Sequence, residues 1–229
     1  MKAFFYIQTF LVQNRSNRAI RICIFDTTLT IRKYPTMKIH NFSAGPCILP
    51  QVVFDKMAEA CINFNHSGSS ILEISHRRKD AVEVIDTARA LVKELMQVPD
   101  SHEVVFMQGG ASLQFPVVAY NLLREGGKAS YLQTGKWAEN AIKEAKRFGE
   151  IEIIASSKDK NYSYIPKKYT VFNDVDYFHC TSNNTIYGTQ MKEFPSVEVP
   201  IVCDMSSDIL SREIEVDLSL IHISEPTRR

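Results

Sequence analysis

Two rhythms run through the apolar positions of this chain. Short, dense apolar runs alternate with longer stretches in which apolar side chains return every three or four residues. The dense runs are Glu103–Met107, Ala129–Leu132, Ile151–Ala155, Asp176–Cys180 and Val199–Asp204, and each predicts a strand. Among the longer stretches, Gln51–Phe64 carries Val52, Val53, Met57, Ala60 and Cys61 behind Pro50, a helix start signal. Ala81–Met96 is the clearest helix, with Ala81, Val84, Ile85, Ala88, Leu91, Val92 and Leu95 at helical spacing. Asp80 and Glu83 have the spacing of a capping box at its start. Two more helices are predicted, one from the Gly109-Gly110 turn to Leu123 and one from Trp137 to near Gly149. Strand and helix alternate from about residue 70 to 204, which predicts an α/β three-layer sandwich on a mostly parallel sheet.

Composition narrows the class. The chain has 229 residues, 45% apolar and 23% charged, with a net charge of +1. That is ordinary globular usage, with no field of the kind that nucleic acid or a membrane surface requires. No apolar run is long enough to span a bilayer. The charge is unevenly placed: residues 1–36 hold six Lys or Arg against Asp26 alone, and the remainder is net negative. Such a break predicts an N-terminal extension foreign to the domain, with Met37 as the natural start. The run Ala3–Val12 lacks the cleavage site of a signal peptide. The five cysteines show no Cys-x-x-Cys pair. A disulfide framework and a zinc site are therefore not indicated, and a reducing cytoplasm fits.

The candidate chemistry clusters after strands, where open α/β sheets bind ligands. The stretch Ile201–Arg212, IVCDMSSDILSR, predicts a buried strand that delivers Asp204 to its C-terminal end. QGGASLQF, Gln108–Phe115, is a glycine turn leading into a helix, an arrangement that binds phosphate when it is not simply a tight turn. It is neither a dinucleotide fingerprint nor a P-loop. Trp137, the only Trp, follows another strand and serves either as core or as a face for an aromatic ligand. TSNNTIYG, Thr181–Gly188, is either an Asx/Ser-Thr-rich turn or a set of ligand hydrogen bonds from Asn184 and Thr185. In SILEISHRRKD, Ser70–Asp80, a strand-like run precedes His76, Arg77, Arg78 and Lys79. That basic run is a solvated surface or an anion site.

NFSAGP, ISHR, GGASLQF, the Trp after YLQTG, TSNNTIYG and DMSSDILSR occur here in an order that closely resembles the phosphoserine aminotransferases. These are fold-type-I, class-V pyridoxal-phosphate enzymes of serine biosynthesis. The resemblance runs from about Met37 to Asp217. It implies that Ala111 and Ser112 meet the cofactor phosphate and that Trp137 stacks on the pyridine ring. It implies that Thr185 lies near the cofactor's phenolic oxygen and that Asp204 pairs with the pyridinium nitrogen. His76 and Arg77 are implied to meet the substrate's acidic groups, and Ala44 to offer only a backbone contact beside the substrate. The implied reaction is reversible amino transfer between glutamate and 3-phosphohydroxypyruvate, giving phosphoserine and 2-oxoglutarate, in a cytoplasmic homodimer.

The resemblance also implies a Schiff-base lysine in an Ala-Gln-Lys-Asn segment. Here no lysine follows Lys192, and Asp217 leads into LSLIHISEPTRR. The expectation is therefore a foreign extension over 1–36, a partial cofactor-binding domain over 37–217 and an artefactual tail over 218–229. Such a chain is by family a transaminase and by itself inactive. The alternatives are a non-catalytic fragment that binds pyridoxal phosphate or a phosphorylated acid, and another fold-type-I enzyme.

Overall fold

The computed structural model describes residues 40–41, 48–214, 216 and 220–223. Residues 1–36, Ala44 and most of the tail 218–229 lie outside the described residues. The helices are α1 (Gln51–Asn63), α2 (Lys79–Leu95), α3 (Gly110–Leu122) and α4 (Lys136–Ala145). The strands are β1 (Lys128–Gln133), β2 (Glu150–Ser156), β3 (Tyr177–Thr181), β4 (Asn183–Asn184), β5 (Thr189–Gln190), β6 (Ile201–Asp204) and β7 (Leu220–Ile223).

Five strands form one sheet in the order β2-β1-β3-β6-β7, and every pairing in it is parallel. The α/β class and parallel sheet expected from the alternating pattern are what forms. β3 lies at the centre, and all five of its residues are buried, as a strand covered on both faces requires. One face carries Ala129, Tyr131, Tyr177 and Val202 under Ala111, Phe115, Val118 and Ala119 of α3 and Ala141, Ile142 and Ala145 of α4. The other face carries Leu132, Phe178, Cys180, Ile201 and Cys203. Among the described residues that second face is covered by irregular segments, through Ile165, Tyr169, Val171, Met191, Phe194 and Ile209. Cys180 and Cys203 are cross-strand neighbours in this layer, and both are free thiols. Burial, Cys180 and the nearby Asp204 all push the Cys203 thiol up, the behaviour of an inert core cysteine.

Three local expectations are corrected. Glu103–Met107 joins no strand ladder among the described residues. Val105, Phe106 and Met107 consequently stand exposed. The strand-like run after Ser70 is instead a 3-10 turn, Ile71–Glu73. The capping box also falls there and not at Asp80. Ser70 Oγ accepts from Leu72 N–H at 3.1 Å, and the Glu73 carboxylate accepts from Ser70 N–H at 3.0 Å. At the start of α2, Asp80 is engaged by Arg78 at 2.8 Å and by the adjacent Ala81 N–H at 3.1 Å, so it does not cap. At the far edge of the sheet, β7 runs parallel to β6 with Asp204 opposite Ile223.

α1 and α2 form where the periodicity puts them, yet neither buries a single residue fully. Val52 and Met57 of α1, and Val84, Ile85, Leu91 and Leu95 of α2, are exposed. Apolar patches of that extent promote association. The purified chain is expected to scatter light as species well above its 26.1 kDa monomer mass. Replacing Val84, Ile85 and Leu91 with glutamine should move it towards monomer, and a monodisperse monomer in the unaltered chain would contradict this.

Candidate functional site

The strand ends bring the candidates together. Thr181 at the end of β3 is the cross-strand partner of Asp204 at the end of β6. Asp204 is buried, and its Oδ1 accepts from Ser206 N–H at 3.0 Å and from Ser206 Oγ at 2.6 Å. A carboxylate gripped by two donors keeps a defined direction. The strand itself is fastened to its neighbour, since Ser182 N–H donates to Asp204 O at 3.0 Å.

β3 continues past Ser182 into the β4–β5 hairpin, where Asn183 pairs with Gln190 and Asn184 with Thr189. The hairpin carries Thr185 exposed at its turn, while Asn184 is buried and donates to Thr189 Oγ1 at 3.2 Å. The loop after β1 abuts this hairpin closely. A Cβ on Gly135 would stand 2.5 Å from Asn184 Oδ1, so only glycine fits there. Gly135 caps α4, and Trp137 follows it, partly buried in the first turn. Trp137, Asn184 and Thr185 thus belong to two loops in direct contact.

α3 starts at Gly110 behind Gly109, which has φ 97° and forms a left-handed turn that L side chains adopt with strain. Leu113 N–H is the amide that bonds back to Gly109 O. The amides of Gly110, Ala111 and Ser112 ahead of it open the helix, the usual anion-binding end. Ala111 is buried against the sheet and Ser112 is exposed. α3 packs on the same face as Val202 and Tyr131, the face that Asp204 and Thr181 share by strand alternation.

His76 and Arg77 lie exposed on the turn before α2. Their side chains form no hydrogen bond or ion pair with the strand-end cluster among the described residues. Ala44 lies outside the described residues. Register puts Asp204 beside the end of β3 from which the Thr185 hairpin departs, Trp137 follows the loop that meets that hairpin, and Ala111 and Ser112 start the helix on the same sheet face.

Two features escaped the sequence. His179, two residues before Thr181 on the same face of β3, is fully buried, stacked on Tyr131 with ring centroids 4.6 Å apart and edge-on to Phe115 at 6.4 Å. Burial alone lowers its pKa from 6.5 to about 3, so it is neutral. Below it, the Tyr131 and Tyr177 hydroxyls hydrogen-bond at 2.7 Å, and burial pushes the Tyr177 phenol up to about 12. The second feature is Asp208, buried at the end of the turn that follows Asp204. It accepts from Gln190 Nε2 at 2.8 Å, Ser211 Oγ at 2.9 Å and Arg212 at 2.9 Å. Burial opposes its ionisation, but the donors Arg212, Ser211 and Ser182 outweigh burial and hold the carboxyl below its usual range. The signal for this pair is the four-residue spacing of Asp208 and Arg212 directly behind Asp204.

Residues 39–221 match the family model described as aminotransferase class-V. The phosphoserine aminotransferase of Flavobacterium psychrophilum is 62% identical over 180 residues, which is 78% of this chain and 51% of the relative. That of Parabacteroides distasonis is also 62% identical over 180 residues, 79% of this chain and 50% of the relative. A solved phosphoserine aminotransferase from Bacillus circulans superposes with a TM-score of 0.76 at 41% identity, over 80% of this chain and 52% of its own. A pyridoxal-phosphate-bound phosphoserine aminotransferase from Trichomonas vaginalis does so with 0.73 at 33% identity, over 80% and 55%. The chain spans about half the length of the curated relatives it matches.

Proposed function

This chain belongs to the class-V aminotransferase family, and from that premise we propose that it carries the cofactor-binding half of a phosphoserine aminotransferase site. The reaction is reversible amino transfer between glutamate and 3-phosphohydroxypyruvate, with pyridoxal phosphate as cofactor. The observation that carries this is Asp204, buried at a strand end with Ser206 bracing one oxygen, in a chain 62% identical over 180 residues to a phosphoserine aminotransferase.

The residues present fit the cofactor. Thr181 Oγ1 is buried with no hydrogen-bond partner among the described residues, beside Asp204 in the register. A buried hydroxyl in that state is costly unless a further group meets it. The α3 amides behind Gly109 supply donors for a phosphate. When bound, pyridoxal phosphate supplies an electron sink for the carbanion chemistry of amino transfer. The chain's part is binding and orientation. Ala111 and Ser112 hold the phosphate, Trp137 stacks on the ring and Thr185 donates to the phenolic oxygen. Asp204 keeps a proton on the ring nitrogen, because a carboxylate beside a pyridinium favours the charged form. His76 and Arg77 take the anionic ends of the two amino acids, and a second copy of the chain completes the assembly.

A chimera tests this. Residues 37–214 are joined to the remaining portion of the Flavobacterium psychrophilum relative and assayed with glutamate and 3-phosphohydroxypyruvate. Turnover that prefers this oxoacid to pyruvate and glyoxylate is expected. A folded chimera that binds pyridoxal phosphate and prefers another oxoacid would refute the phosphoserine assignment. The polypeptide 1–229 alone, with no lysine after Lys192, is expected to show no turnover.

A further inference from the structure

We propose that Asp208 and Arg212 form a clasp that positions Asp204 and the Thr185 hairpin relative to each other. This rests on Asp204 as the partner of the cofactor's ring nitrogen. Two separate pieces of chain must be held in one arrangement for that partnership. One is the turn after β6, which carries Ser206 beneath Asp204. The other is the β4–β5 hairpin, whose tip holds Thr185.

Asp208 touches both. Its own N–H closes the turn by donating to Met205 O at 2.9 Å, and its carboxylate takes Ser211 Oγ from the same turn at 2.9 Å. The same carboxylate takes Gln190 Nε2 from β5 at 2.8 Å. Arg212 then spans the gap. Its Nη2 donates to Asp208 Oδ2 at 2.9 Å and to Met191 O at 2.8 Å, and its Nη1 donates to Lys192 O at 2.9 Å. Met191 N–H in turn donates to Ser182 O at 2.7 Å, and Ser182 is bonded to Asp204 O. A second tie runs outside the clasp, where Asn183 Nδ2 donates to Ser207 Oγ at 3.0 Å.

The chemistry requires a charged pair. A buried carboxylate is tolerated only when donors saturate it, and a planar guanidinium can serve a carboxylate and two carbonyls at once. Neither residue needs to reach a ligand. Both are positioning residues that act through Ser206 on Asp204 and through Gln190 on the hairpin. A purely structural role would weaken every ligand alike. A positioning role acts on the interaction with the ring nitrogen.

The test uses the full 229-residue chain and the fluorescence of its single Trp. The probes are pyridoxamine phosphate, which lacks the aldehyde that reacts with surface lysines, and its 1-deaza counterpart, in which C–H replaces the ring nitrogen. The unaltered chain is expected to prefer pyridoxamine phosphate by about tenfold or more, the scale of one charge-assisted hydrogen bond. Asp208→Asn should reduce that preference to about twofold, because loss of the ring-nitrogen contact falls on pyridoxamine phosphate alone whereas any loosening of the Thr185 hairpin weakens both probes together. Arg212→Lys keeps the charge without the fork, should lose the preference in the same way, and serves as the second variant if Asp208→Asn does not fold. Equal weakening of both probes, or an undiminished preference in a folded variant, overturns the clasp while leaving Asp204 in its role. Equal affinity of the unaltered chain for the two probes overturns the ring-nitrogen assignment and the clasp with it.

Discussion

Lowering the pH from 7 to 5 should destabilise the fold by about 2 kcal/mol through His179 alone. The ring is held neutral by burial, with its pKa lowered from 6.5 to about 3. The unfolded chain binds this proton below pH 6.5 and the folded chain does not. Stability is therefore fully present above 6.5 and falls as pH drops, by up to about 1.4 kcal/mol per unit, until the folded ring titrates near 3. Over the whole window the loss approaches about 5 kcal/mol, a large share of the total for a typical domain. The carboxyls with lowered pKa, Asp208, Glu139 and Asp174, act in the same direction but only at lower pH. The range from 6.5 to 5 is thus governed by His179. His179→Phe keeps a ring against Tyr131 and Phe115 and removes the ionisable group. Denaturant melts of the variant should lose most of the pH slope in that range. An unchanged slope would mean that the ring takes up a proton while folded.

Asp204→Asn should lower affinity for pyridoxamine phosphate by roughly 10- to 100-fold and leave the thermal midpoint nearly unchanged. The amide oxygen can still accept from Ser206, so the turn persists. The negative charge that the proposed function sets opposite a protonated ring nitrogen is gone, and hydrogen bonds to charged partners are worth about 1.5–3 kcal/mol. Fluorescence titration and calorimetry on the same samples separate the two effects. A large drop in the midpoint with unchanged affinity would make Asp204 a structural residue.

The sheet and its helices were legible because each element states its own period. Lys128–Gln133, Glu150–Ser156, Tyr177–Thr181 and Ile201–Asp204 are dense apolar runs ending in polar residues, and candidates such as Trp137, Thr185 and Asp204 were chosen from where those runs stop. Glu103–Met107 has the same local look and fails as a strand, because a strand also needs a neighbour, and periodicity says nothing about neighbours. The capping box went to Ser70 and Glu73 for a similar reason: Arg78 claimed Asp80 first. His179 could not be seen in advance. A histidine inside YFHCT reads as one polar interruption, and only the register places it between Tyr131 and Val202. Asp208 and Arg212 were missed because their partners Gln190, Met191 and Lys192 lie in another part of the chain, and sequence distance hides such a tie.

The strand order has a temporal meaning as well. β3, with ladders on both sides and every residue buried, is the last backbone that local fluctuation can open, whereas β2 has a partner on one side only. Thr181 stands on β3 and Asp204 on its neighbour β6. Among the described residues, the proposed cofactor-facing acid is therefore anchored next to the most protected strand, while Thr185, on a short hairpin, and Ser112, at a helix mouth, stand on parts expected to open sooner. If the proposed roles hold, a ligand would find its ring-nitrogen contact already set and would order the phosphate and hydroxyl contacts as it arrives.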